Sequence, residues 1–335
     1  MTKIIHVLLT GGVGSRLWPL SRKSRPKQYI DLFGGYSLFE LAVLRNQSLC
    51  DQLIVVGNCD NHDHSLHSLS KLGISDSKTR NIVEAAPRNT AAAIAFAAFA
   101  ASAEDILVVT PADHIIENDK AYQKAIEEAI NLAKENNLVT FGVQPDRPET
   151  GYGYIEFSGN DVIGFREKPD AKTAEGFLQQ GTFLWNSGMF CFKAATFLQE
   201  LKKFEPEVYY KALSAWESSD DGMLKLEESM QIPSISVDYA VMERSDKIKV
   251  IPASFSWSDM GSFQAIYDHL ISNGHKIDDN GNMVIGSDKF TAFVGLRDTI
   301  MVCTEDANLL LQKECSQDVK QVFTDLESSR PELIN

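Results

Sequence analysis

The chain has 335 residues, 44% of them hydrophobic and 23% charged, with a formal net charge of −14. That is the composition of a globular protein with length for one large domain and a smaller one. Its acidic balance argues against non-specific binding to nucleic acid or to membrane surfaces.

The opening MTKIIHVLLTGG reaches glycine without a small-x-small cleavage site and is read as a strand rather than a leader. Residues 3–10 form a continuous apolar run, as expected of a strand covered on both faces. A helix is expected over 37–49 and a strand over 52–57. The segment AAAIAFAAFAASA, Ala91–Ala103, is too short to span a bilayer and reads as a buried helix capped by Asn89 or Thr90. ILVVT, Ile106–Thr110, is another buried strand. An amphipathic helix over 121–135 and a strand over 138–143 follow. Strands alternating with helices predict an α/β sheet.

From Gly151 the pattern changes. GYGYIEFSGNDVIGFREKP reads as a β-ribbon, helices are expected over 194–201 and 209–216, and IPSISVDYAVMERS as a strand and a helix. The polar stretch SNGHKIDDNGN, Ser272–Asn282, is the best linker. Short strand-like runs and a closing helix near 316–326 make a small β-rich appendage. The expected domains are therefore 1–272 and 283–335. Five scattered cysteines (Cys50, Cys59, Cys191, Cys303, Cys315), with no CxxC spacing, suit a reducing, cytoplasmic compartment.

Against the acidic whole, residues 1–30 contain Lys3, Arg16, Arg22, Lys23, Arg25 and Lys27 and no acid, so they carry +6 and the remainder −20. This points to an anion site. The stretch Gly11-Gly12-Val13-Gly14-Ser15-Arg16 follows the first strand. It lacks the Gly-Lys-Ser/Thr of a Walker A loop and the third glycine of a dinucleotide fingerprint. What remains is a strand, a glycine turn and an arginine. Backbone N–H groups there can nest phosphate oxygens, and Arg16 and Lys27 can neutralise them.

The pattern G-G-x-G-x-R-L-x-P-L…P-K-Q resembles the sugar-1-phosphate nucleotidylyltransferases. RLWPLSR with PKQ is similar to their mannose-1-phosphate guanylyltransferase branch. EAAPRNTAAAIA, TPADHII, TGYGYIE, FREKPD, FLWNSGMF, VDYAVMER and SWSDMGSF continue the likeness in order along most of the chain. The departures, Val13 and Ser15 flanking Gly14, Ala92 for a proline and Phe263 for a tryptophan, remove no charged group.

The resemblance implies a Rossmann-like nucleotidyltransferase domain with a mixed, mostly parallel sheet, plus a small β-rich C-terminal domain. It implies GMP transfer from GTP to mannose 1-phosphate. The sugar's phosphate would attack the α-phosphorus in line, giving GDP-mannose and pyrophosphate. A phosphate monoester is already ionised near neutrality, its second pKa being about 6. No general base is needed, and positioning and electrostatics carry the rate.

By the same resemblance, Gly11, Gly12, Gly14, Ser15, Arg16, Lys27, Glu84 and Asn89 bind the nucleotide, with Glu84 accepting from the guanine edge. Gly153, Glu167, Lys168 and Asn186 bind the sugar phosphate. Asp113 and Asp259 bind Mg2+ and, with Arg16 and Lys27, make up the catalytic set, while His114 hydrogen-bonds beside the metal. The implied partners are GTP, mannose 1-phosphate and a second copy of the chain in a homodimer. Another hexose- or heptose-1-phosphate acceptor is the alternative, as is a GDP-sugar-binding regulatory protein without turnover. Some relatives carry a fused cupin-type isomerase; about 55 residues after the linker are too few for one, so no isomerase activity is expected.

Overall fold

The apolar runs become one nine-stranded sheet in the computed structural model, which describes residues 2–32 and 34–335. In spatial order its strands are Thr79–Glu84, Gln52–Asn58, Ile4–Leu9, Ile106–Pro111, Phe183–Lys193, Leu138–Val143, Ile248–Pro252, Asp161–Arg166 and Tyr154–Ser158. The first four are mutually parallel. Phe183–Lys193 runs antiparallel to Ile106–Pro111, to Leu138–Val143 and, along its first residues, to Tyr154–Ser158. The sheet is thus mixed, with a wholly parallel half around the first strand. Residues 151–166 form the expected ribbon, turned at Gly159.

The chain divides into two compact units. The first holds residues 1–11, 42–112 and 116–257 and contains this sheet. Its Asn89–Ala100 helix is buried at every position from Ala91 to Ala98, as an all-round apolar helix must be. Two helices carry no clear apolar signal in the sequence. Cys59–Lys71 buries Asn61, Ser65 and Ser68 beside Leu69, and Ala171–Gln180 buries only Ala174.

An expected strand does not form. Residues 232–237 form no strand; the helical turn that follows is a five-residue π-helix, Asp238–Met242. Pro233 breaks the strand pattern. The polar backbone groups go instead to the Asn89–Ala100 helix region: Ala91 N donates to Ile235 O at 3.3 Å and Val237 N to Thr90 Oγ1 at 2.8 Å.

The second unit holds residues 12–41, 113–115 and 258–335. Leu17, Trp18 and Leu38 share its core with Met283, Ile300, Val302 and Phe323. Trp18 Nε1 donates to Leu333 O at 2.9 Å, and Arg22 pairs with Asp306 at 2.6 Å. The C-terminal strands Met283–Ile285, Thr299–Cys303 and Asn308–Gln312 form a small sheet. The polar stretch before them is ordered by Asp278, whose carboxylate accepts from Asn280 N and Asn282 N at 2.9 and 2.8 Å.

Candidate active site

Gly11 lies just beyond the first strand and is exposed. Beyond it, Gly12 (φ 90°) and Gly14 (φ 78°) take left-handed backbone that favours glycine. Leu17 N and Ser21 Oγ both donate to Gly14 O, at 2.9 and 2.6 Å. Gly14 is needed a second time: a Cβ there would stand 2.5 Å from Lys27 Cβ. The bare backbone lets the lysine stem pass beneath the turn, and Lys27 N donates to Val13 O at 3.1 Å.

Lys27 is buried, and a buried ammonium requires partners. Its Nζ lies 2.8 Å from Asp113 Oδ2 and donates to Asp259 O at 2.6 Å. One cation therefore touches both aspartates that the sequence singled out. Burial alone would raise the Asp113 carboxyl; the Lys27 charge, with help from His114, outweighs it and holds Asp113 below the ordinary carboxylate range. His114 Nε2 stands 3.6 Å from Asp113 Oδ1.

The Asp259 carboxylate folds over its own loop, where Gly261 N donates to Oδ1 at 3.0 Å. A Cβ on Gly261 would sit 2.5 Å from Oδ2. Between them the buried Met260 is held at φ 47°, a strained conformation for a side-chain-bearing residue. Ser15 and Arg16 stand on a short 3-10 turn, with Arg16 exposed. Among the described residues no three His, Cys, Asp or Glu side chains gather to hold a metal ion unaided.

The first unit carries two further groups. Glu84 closes its strand, buried, and burial pushes its carboxyl up to about 7. Arg88 N lies 3.5 Å from Glu84 Oε1, and the Arg88 guanidinium donates to Ile232 O at 2.6 Å. Asn89 is not the cap the sequence suggests. It is the first helical residue, at φ 69°, with its Oδ1 accepting from Thr90 N at 2.8 Å.

The other group joins Gly153, Glu167, Lys168 and Asn186. Asn186 N donates to Gly153 O at 2.8 Å, and a Cβ on Gly153 would meet Glu167 Oε2 at 2.5 Å. Lys168 Nζ pairs with Glu167 Oε1 at 2.8 Å, and this hydrogen bond raises the lysine above its ordinary range. Lys168 also holds left-handed backbone, at φ 45°. Sequence reasoning missed Asp238, which joins this group. Asn186 Nδ2 donates to Asp238 Oδ1 at 2.9 Å. Burial first, and then the Glu167 charge, push the Asp238 carboxyl up to about 6. VDYAVMER was visible as a block, but nothing in its apolar pattern marks the aspartate that turns toward Asn186.

A glycine turn after the first strand of a parallel half-sheet, with a lysine bound to two loop aspartates, is the arrangement of an enzyme that handles phosphorylated nucleotides. The chain belongs to the nucleotidyl transferase family, whose model matches residues 5–273. Residues 273–326 match the MannoseP isomerase/GMP-like beta-helix domain.

Among curated relatives, the mannose-1-phosphate guanylyltransferase RfbM of Salmonella typhimurium is 40% identical over 347 residues, 95% of this chain and 71% of that protein. The alginate biosynthesis protein AlgA of Pseudomonas aeruginosa is 38% identical over 357 residues, 97% of this chain and 72% of that one. Similar solved structures include these two. One, from Thermus thermophilus and described as a mannose-1-phosphate geranyltransferase, is 28% identical with a TM-score of 0.83, over 98% of this chain and 100% of that one. The other, described as mannose-6-phosphate isomerase from Helicobacter pylori, is 38% identical with a TM-score of 0.70, over 76% of this chain and 99% of that one. The expected nucleotidyltransferase fold with a β-rich C-terminal part is borne out.

Proposed function

We propose that the chain transfers GMP from GTP to α-D-mannose 1-phosphate, releasing pyrophosphate and GDP-mannose. The observation that carries this reading is the single Lys27 ammonium in contact with both Asp113 and Asp259. An attacking phosphate and a triphosphate repel each other, so a site that joins them must concentrate positive charge while keeping a metal-binding carboxylate ionised. Lys27 brings the charge and holds Asp113 in its anionic form.

The N–H groups of Gly11, Gly12, Gly14 and Ser15, with exposed Arg16, receive the β- and γ-phosphates. Glu84, at the end of its strand and with Asn89 nearby in the chain, accepts from the guanine N1–H and N2–H. Lys168 meets the phosphate of the sugar, and Glu167, Asn186 and the Gly153 backbone meet its hydroxyls. A sugar-phosphate oxygen forms the new bond to the α-phosphorus as the bond to pyrophosphate breaks on the opposite side. No protein group takes a proton, because the nucleophile arrives ionised.

The donor set suits Mg2+. Asp113 is held anionic, the Asp259 carboxylate has its own glycine cradle, and two carboxylates plus substrate phosphate oxygens are the usual shell for that ion. When bound, the cation would offset charge building on the α-phosphate and the leaving pyrophosphate. A homodimer is part of the proposal, supported by the exposed Phe290, Val294 and Leu310 of the C-terminal part; sedimentation velocity tests it.

The direct test of the activity is pyrophosphate release from GTP with a panel of sugar 1-phosphates and Mg2+. Turnover should be highest with mannose 1-phosphate. Equal or better use of another hexose- or heptose-1-phosphate, or of another nucleoside triphosphate, would replace the proposed substrates.

A further inference from the structure

Asp238 raises a question that its bond to Asn186 does not answer. Asn186 is already oriented without it: its Oδ1 takes Gly188 N at 3.3 Å and lies 3.0 Å from Thr140 Oγ1. These contacts fix Nδ2 on the far side. An amide N–H needs only a neutral acceptor there. The chain instead puts a second carboxylate beside Glu167, where the two like charges oppose each other.

The ammonium that stands with them is that of Lys168. Its Nζ is engaged by Glu167 and acts on Asp238 through its charge alone. The lysine side chain is 61% exposed while that of Glu167 is 10% exposed, so it is the cation that is free to swing. Asp238 is itself only partly buried, on a five-residue π-helical turn that aims it at Asn186. Once Lys168 turns to an incoming phosphate, two neighbouring carboxylates are left with too few donors. Neutral hydroxyl donors on adjacent ring carbons satisfy such a pair without adding charge.

We propose that Asp238 is a specificity-determining residue, a second carboxylate that with Glu167 accepts hydroxyl hydrogens from the ring of the sugar-phosphate acceptor. The inference rests on the function proposed above and assigns a residue outside the glycine turn, the metal aspartates and the FREKPD block. It selects a polyhydroxylated ring over acceptors that carry phosphate alone.

The test is steady-state kinetics of the whole enzyme and of Asp238→Asn with mannose 1-phosphate and its 2-, 3-, 4- and 6-deoxy analogues. The asparagine retains an oxygen to accept from Asn186, so a purely structural role leaves all constants unchanged. Recognition of a hydroxyl gives three results together. KM for mannose 1-phosphate rises about 10- to 100-fold, the range for a lost hydrogen bond to a charged group. KM for GTP stays within about twofold, well under the tenfold that one such bond is worth. One deoxy analogue, poor for the wild type, is used by the variant as well as mannose 1-phosphate is.

If Asp238→Asn folds poorly, Asp238→Ser, whose hydroxyl can still meet Asn186, carries the same test. An unchanged KM for the sugar, or an equal loss with every analogue, overturns the inference while the function stands. Absence of wild-type turnover with mannose 1-phosphate overturns both.

Discussion

Lys27 Nζ and Asp113 Oδ2 lie 2.8 Å apart, with side chains only 8% and 27% exposed, and the same nitrogen reaches Asp259 O. Removing one member of a buried pair leaves an uncompensated charge. Lys27→Met should therefore lower kcat/KM by about 10²–10³-fold, the scale of one lost electrostatic donor, and should also lower the thermal midpoint. Asp113→Asn in the Lys27→Met background should recover much of the midpoint and none of the activity. Pyrophosphate-release rates and thermal melts separate the two effects. A Lys27→Met enzyme within tenfold of wild type would remove the ammonium from the mechanism.

Gly14 is the test of how that ammonium is delivered. An alanine there meets both an unfavourable φ of 78° and a Cβ contact of 2.5 Å with the Lys27 stem. Gly14→Ala should cost about 1–3 kcal/mol of stability and displace Lys27, so activity should fall more steeply than stability predicts. Gly12→Ala has the same kind of backbone (φ 90°) but open space for its Cβ. It should show the strain alone, and the ratio of the two activities measures what Lys27 placement contributes.

How much of this was legible in the sequence differs from group to group. The glycine turn and Lys27 lie close along the chain, and composition alone marked them as a basic island. Asp113 and Asp259 are far apart in sequence, and only the ordered family blocks tied them together; nothing in either local pattern specifies that one lysine reaches both. The grouping of residues 12–41 with the C-terminal segment was not legible, because it depends on single long-range contacts such as Trp18 to Leu333 and Arg22 to Asp306. The Cys59–Lys71 helix escaped notice because the face it buries is mostly Asn and Ser. Asp238 escaped because a π-helical turn has no period to recognise.

The two aspartates make a separable prediction. Asp259→Asn should keep the fold, since its Oδ1 can still accept from Gly261 N, and should lose most of the rate. Chelation of divalent cations with EDTA should abolish turnover by the wild type, with recovery on adding Mg2+. Titration calorimetry of Mg2+ in the presence of GTP should show tighter binding to wild type than to Asp259→Asn. Full chelator-resistant activity would sink the metal assignment of both residues.

Glu84 predicts a pH dependence with two opposite signs. Its carboxyl sits near 4.5 when unfolded and about 7 when folded. The folded state therefore prefers the neutral form: this contribution to stability is fully present below 4.5 and is lost as pH rises to 7. GTP binding runs the other way, because only the ionised carboxylate accepts both guanine donors. KM for GTP should fall as pH rises from 6 to 8. Glu84→Gln should flatten both profiles, with a raised KM throughout and weaker preference for GTP over ITP, which lacks the 2-amino donor. A Glu84→Gln enzyme with wild-type KM and the wild-type pH profile would exclude Glu84 from the base site.

His6 sets a limit on acid stability. It is buried in the strand Ile4–Leu9, with Nε2 2.8 Å from Thr110 Oγ1. Burial first, and then the Arg45 charge, push its imidazole down to about 3. A depressed folded value means that the stability is present above the unfolded value of 6.5 and is lost as pH falls from there toward 3. One proton taken up on unfolding gives a slope of about 1.4 kcal/mol per pH unit. Replacing both partners removes the titrating group without orphaning the hydroxyl. His6→Val with Thr110→Val should thus be close to wild type at pH 8, and more stable than wild type at pH 4. Either single substitution should be worse than the pair at pH 8, because a buried polar atom is left alone. Urea unfolding at both pH values measures all four proteins; parallel losses for wild type and the double variant between pH 8 and pH 4 would show that His6 does not set the acid limit.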